Sequence, residues 1–147
     1  MVRNKSKFNL KNKALIAPCG LYCGECSAFQ DGRCGGCISR KGLCLKYTKI
    51  CGIYSCCVDK RSLSVCNECK EFPCGKFPSF FDTPAWYKEV VENLRRIEKV
   101  GVEKFLGEQV ERVNQLIRCA EKHAVVHCSL CKECPCGILK RPPLTPA

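Results

Sequence analysis

Cysteines set two residues apart can place both sulfurs about 2.3 Å from a single ion, and this chain repeats that spacing. Cys34-Gly35-Gly36-Cys37 and Cys66-Asn67-Glu68-Cys69 are clean pairs of this kind. In the first, the glycines ease the tight turn and free backbone N–H groups toward sulfur. Cys74 follows the second pair behind Pro73. Cys19, Cys23 and Cys26 put three thiols within eight residues, and Cys44, Cys51, Cys56 and Cys57 lie between these groups. A further run, Cys128, Cys131, Cys134 and Cys136, stands near the C-terminus. Soft thiolates at these spacings suit zinc or an iron–sulfur cluster.

Disulfides are the competing use of so many cysteines, and the redox compartment decides between them. The N-terminal stretch lacks the apolar run of a secretory leader, and no segment reaches the length of a membrane span. A cytoplasmic protein is the expectation, and there clustered Cys-x2-Cys pairs bind metal more often than they bridge. The total of seventeen is also odd, which fits a fully bridged scaffold poorly.

The net charge of +11 resembles a nucleic-acid signal. Each four-thiolate zinc site, however, carries about −2, so three sites would bring the chain to about +5. The basic residues then mainly offset thiolate charge. What remains is weak nucleic-acid binding through Arg3, Lys5, Lys7, Lys11 and Lys13 in the N-terminal tail.

The C-terminal run Cys128-x2-Cys131-x2-Cys134-Pro135-Cys136 reads like half of a bacterial [4Fe–4S] sequence. Its fourth ligand would have to come from elsewhere, with Cys119 a candidate, and zinc accepts the same sulfurs. His123 and His127, four apart, could ligate but read more simply as surface histidines. The Cys19-x3-Cys23-x2-Cys26 spacing also matches a radical cluster motif. Glu25 replaces its usual aromatic, and too little chain follows to build the required barrel. No Ser-His-Asp set, phosphate loop, HExxH motif or paired catalytic carboxylates appears, which points away from an enzyme.

The elements that must position these thiols divide the chain. Residues 1–13 form a basic tail, 14–80 a cysteine-rich body, 81–122 a helical pair, 123–137 the C-terminal metal cluster and 138–147 a Pro-rich tail. In the helical pair, Asp82 or Thr83 can cap a first helix that has Pro84 at its opening position. Trp86, Tyr87, Val90, Val91, Leu94 and Ile97 recur at helical spacing, and Gly101 ends the run. Val102, Phe105, Leu106, Val110, Val113, Leu116 and Ile117 mark a second apolar face. The fold class predicted is a small, metal-stabilised, irregular α+β protein. Its zinc-knuckle body precedes two antiparallel helices and a short C-terminal cluster. Outside the helices, metal ligation is expected to supply much of the stability.

With these residues in place, the body resembles a known family. Cys19-Gly20-Leu21-Tyr22-Cys23-Gly24-Glu25-Cys26, Cys34-Gly-Gly-Cys37 and Cys66-Asn-Glu-Cys69-Lys-Glu-Phe-Pro-Cys74 are similar to the archaeal and bacterial cysteine-rich domain of unknown function 3795. That family opens on CGLxCxxC and closes on CxxCxxxPC. Cys51-Gly-Ile-Tyr-Ser-Cys56 resembles its middle element, except that Thr48 stands where a cysteine usually begins it and Cys44 is the substitute. The resemblance spans roughly residues 18–136 and implies metal binding, with zinc expected, but no reaction. The body's ligand pool is then Cys19, Cys23, Cys26, Cys34, Cys37, Cys44, Cys51, Cys56, Cys66, Cys69 and Cys74, with Cys128, Cys131, Cys134 and Cys136 a separate site. The expected function is a non-catalytic zinc-binding interaction module with a protein partner. An iron–sulfur electron carrier or redox accessory and a zinc-knuckle nucleic-acid binder are the alternatives.

Overall fold

The computed structural model describes residues 9–45, 48–75, 77–80, 84–124 and 132, with the backbone alone for 79–80 and 84–86. The side chain of Trp86, the expected caps Asp82 and Thr83, and the cluster Cys128, Cys131, Cys134 and Cys136 lie outside the described residues.

The first element among the described residues is a 3-10 turn, Lys13–Leu15, capped by Asn12, whose Oδ1 accepts the Ala14 N–H at 3.0 Å. Similar turns at Cys23–Glu25 and Cys66–Glu68 close two of the cysteine loops. In each, the last thiol's amide returns to the first thiol's carbonyl, at 3.0 Å for Cys26 to Cys23 and 3.1 Å for Cys69 to Cys66. Two short helices follow in the body, α1 (Ser27–Gln30) and α2 (Gly52–Tyr54), the latter running on into a π-helical turn, Ser55–Lys60.

Two long helices complete the fold, α3 (Pro84–Val100) and α4 (Val102–Lys122), joined through Gly101. Pro84 occupies the first helical position, where its missing N–H costs nothing. Arg96 on α3 forks onto Glu108 on α4, with Nη2 to Oε1 at 2.6 Å and Nε to Oε2 at 3.2 Å. Arg96 stands five residues before Gly101 and Glu108 seven after it, so the helices run back along one another.

The β half of the expected α+β architecture is almost missing. Among the described residues it reduces to one antiparallel bridge, Ile16 to Tyr22. The reason is local, since the amides of the cysteine loops close 3-10 turns or reach sulfur and leave no ladder to extend. The protein is mostly helical.

One shared core joins the helices to the cysteine-rich body. Val90, Leu94 and Ile97 of α3 and Phe105, Leu106, Val110 and Val113 of α4 are buried as the periodicity requires. They meet Leu15, Ile16, Tyr22, Phe29, Ile53, Val65 and Phe77 of the body in one continuous cluster. Cysteine-rich loops that look poor in apolar residues each contribute one or two to it.

The contact is specific at Gly20, whose φ of 86° turns the loop after Cys19 back on itself. The Ala17 amide then meets the Leu21 carbonyl at 2.8 Å. Gly20 packs on α3, and its carbonyl accepts the Nδ2–H of Asn93 at 2.9 Å. Asn93 is only 4% exposed. Replacing Asn93 by Leu keeps the branched outline of the side chain but strands the buried Gly20 carbonyl. We expect a loss of about 1–3 kcal/mol in unfolding free energy, measured by denaturant titration of metal-loaded protein. A neutral result would mean that water reaches this carbonyl. Glu25 adds a second tie, accepting from Arg112 of α4 at 3.2 Å. No helix among the described residues is long and apolar enough to cross a membrane.

Candidate metal centre

All thirteen cysteines among the described residues are unbridged. Eleven of them gather into two groups, while Cys74 and Cys119 stand outside both. The first forms where the loop after Leu15 meets the Gly35-Gly36 turn. Gly36 has a φ of 96°, and a Cβ there would sit 3.3 Å from Leu15 Cδ2 and 3.6 Å from Cys23 Cβ. A left-handed glycine thus lets the backbone approach Cys23 closely. As a result the Cys37 N–H donates to Cys23 Sγ at 3.4 Å, fourteen residues away in sequence. An amide aimed at sulfur stabilises a thiolate, which is what a metal-bound cysteine must become.

The electrostatics of this group are those of crowded acids. Burial is the main cause that raises the Cys19 thiol, and Cys37, Cys51 and Cys23 raise it further against the opposing Leu21 amide. Cys23 is raised by burial and then by Cys26, Cys34 and Cys44, while the Cys37 amide pulls the other way. Cys37 is pushed up to about 12, by burial first and then by Cys23, Cys51, Cys44 and Cys34. Thiols from four separate stretches of chain therefore feel one another. Removing their protons together is unfavourable unless a cation takes their place. Nearby Tyr22 is raised to about 12, chiefly by burial, and its hydroxyl donates to the Leu10 carbonyl at 2.8 Å.

The second group surrounds Arg61. Its Nη1 donates to Cys69 Sγ at 3.3 Å and its Nη2 to Glu71 Oε2 at 2.9 Å. The same guanidinium hydrogen-bonds Cys56. Cys57, only 2% exposed, shares a hydrogen bond with Cys66. As a thiol, Cys57 also donates to the Leu63 carbonyl at 3.6 Å. The shared bond holds the Cys66 proton tightly, with burial and the charges of Cys57, Cys19 and Cys56 adding to it, so the pair gives up its first proton from Cys57. The Cys66 amide donates to the Pro18 carbonyl at 2.9 Å, so Cys19 stands where the two groups meet.

Most of the expected ligand pool is accounted for in these groups. Cys19, Cys23, Cys26, Cys34, Cys37, Cys44 and Cys51 interact in the first, and Cys56, Cys66 and Cys69 in the second. Cys74 instead packs against the apolar core. Spacing leaves Cys57 out of the expected pool, and the adjacent Cys56-Cys57 doublet is the one sequence signal for it. Among the described residues, no three Cys, His, Asp or Glu side chains already stand at the separations of a metal site. The thiols are gathered without being closed around a point. Their chemistry nevertheless fits a soft divalent ion. The donors are sulfurs, an amide faces one of them, and an arginine stands beside two others.

Comparison with known proteins agrees with the motifs. No curated protein and no solved structure matches the chain. A family profile matches residues 15–79, which hold both thiol groups and end before α3. The profile is that of the family described as Protein of unknown function (DUF3795), to which the cysteine-rich body is similar.

Proposed function

We propose that the chain is a zinc-binding module that acts as an interaction platform rather than a catalyst. The observation that carries this reading is the Cys37 N–H on Cys23 Sγ, at the centre of thiols drawn from separate loops. Bound zinc would be held by the Cys19 to Cys51 group and by the group around Arg61. Its role is to neutralise thiolates that otherwise repel one another and to fix loops with little regular structure. Unbridged cysteines throughout the described residues suit a reducing cytoplasm. Cys128, Cys131, Cys134 and Cys136 provide a further site on the same chemistry.

Metal analysis of protein purified without oxygen tests this directly. A colourless protein with about three to four zinc ions is expected, because seventeen thiols make four quartets with one left over. Brown protein with broad absorption near 400 nm and acid-labile sulfide would replace zinc with iron–sulfur chemistry.

A further inference from the structure

The first thiol group leaves a conspicuous surface beside it. Among the described residues, the large apolar side chains that stand exposed are Leu43, Leu45 and Ile50, at 37%, 47% and 58%. All three lie on the stretch that links Cys44 to Cys51 or directly before it. The base of this stretch is fixed. The Gly42 amide donates to the Cys37 carbonyl and the Cys51 amide to the Gly42 carbonyl, both at 3.0 Å, and Arg40 Nε donates to the Leu43 carbonyl at 2.7 Å. Lys41 is held at a φ of 50°, a left-handed conformation disfavoured for a lysine.

The charge along this stretch of sequence has one sign. From residue 32 to residue 58 the sequence holds Arg33, Arg40, Lys41, Lys46 and Lys49 and no acidic residue. Arg33 is paired with Asp31. Lys41 and Lys49 are exposed and paired with no acid among the described residues. An aliphatic patch with a cationic rim selects its partner by exclusion. A second copy would bring the same positive face and be repelled. Nucleic acid would find aliphatic side chains where base stacking needs aromatic ones. Two of the three side chains are more than half covered, so they present a contact patch rather than tips that plunge into a bilayer.

We propose that the Leu43, Leu45 and Ile50 surface docks an acidic segment of a partner protein that carries large apolar side chains. The apolar side chains fill the patch, and the acids meet Lys41 and Lys49 at its rim. This rests on the interaction-module reading and gives that module its face.

The test uses metal-loaded full-length protein and a set of fluorescein-labelled peptides that alternate Glu or Asp with Leu, Phe or Trp. Peptides with Lys for the acids, acidic peptides without apolar residues, phosphatidylcholine–phosphatidylserine vesicles and a single-stranded oligonucleotide run beside them. Acidic apolar peptides should bind, and more weakly as salt rises. Leu45→Ser and Ile50→Ser should each lower affinity at least about tenfold, and Lys41→Glu with Lys49→Glu should remove the salt dependence. Metal content and circular dichroism of each variant show that the fold persists. The proposal is overturned if no acidic apolar peptide binds, if the serine variants bind as well as the parent, or if vesicles or oligonucleotide occupy these residues instead. Full zinc content in protein that binds no peptide would remove this docking face and leave the zinc reading standing. Absence of zinc would remove the zinc reading whatever the peptides do.

Discussion

Cys23→Ser should release one metal ion and lower stability by several kcal/mol, because structural zinc contributes roughly 10 kcal/mol or more to folding. Serine keeps the size of cysteine but replaces a soft sulfur with a poor ligand. The Cys37 amide would also lose its sulfur acceptor. Paired substitutions sharpen the expectation. Cys23→Ser with Cys37→Ser should cost no more metal than either alone, since both act on one centre. Cys23→Ser with Cys69→Ser should cost two ions, because Cys69 belongs to the group around Arg61. Metal content with thermal unfolding of the four proteins settles the assignment, and two ions lost from Cys23→Ser alone would mean one shared centre.

The chelated protein should show the complementary pH dependence. Burial and neighbouring thiols raise Cys37 from an ordinary 9.0 to about 12, so the metal-free fold favours the protonated thiol. That stabilisation is complete below the unfolded value and is lost as pH climbs from 9.0 toward 12. Metal binding requires thiolates, so acid weakens the loaded protein while alkali weakens the empty one.

Gly20→Ala should destabilise the protein by about 2–4 kcal/mol, summing left-handed strain with overpacking. The φ is 86°, and the new Cβ would lie 2.9 Å from Leu94 Cγ and 3.2 Å from Asn93 Cβ. Leu94 has no exposed surface and so has little room to give way. Gly107→Ala is the contrast. Gly107 sits exposed within α4 with nothing within 4 Å of a new Cβ, so alanine there should stabilise by about 0.5–1 kcal/mol. Equal effects at the two glycines, by denaturant titration, would sink the view that Gly20 docks the body on α3.

The sequence made the helices legible because Val90, Leu94, Ile97, Phe105, Val110 and Val113 repeat at the helical period, with Gly101 at the break. It made the thiols legible as candidates because two-residue spacings are local. It did not reveal how they meet. Cys37 reaches Cys23, and Cys57 reaches Cys66, through loop closures that no local spacing encodes. Asn93 looked like an ordinary polar helix residue. Its role appears only when Gly20, seventy-three positions earlier, is laid against it. Among the described residues the β part of the α+β expectation reduces to one bridge, since apolar residues such as Phe29 and Ile53 serve the common core from short helices.

That remote contact also bears on the order in which the chain can assemble as it is synthesised. The Cys19 to Cys26 loop emerges early, yet the face it rests on is made from Val90 to Val113. Until α3 has left the ribosome, the thiols and the apolar residues beside them have no cover. A nascent chain halted before residue 84 would hold the complete family segment in an exposed and oxidisable form. Docking of α3 and α4 would then give the cysteine loops the apolar cover that the shorter chain lacks.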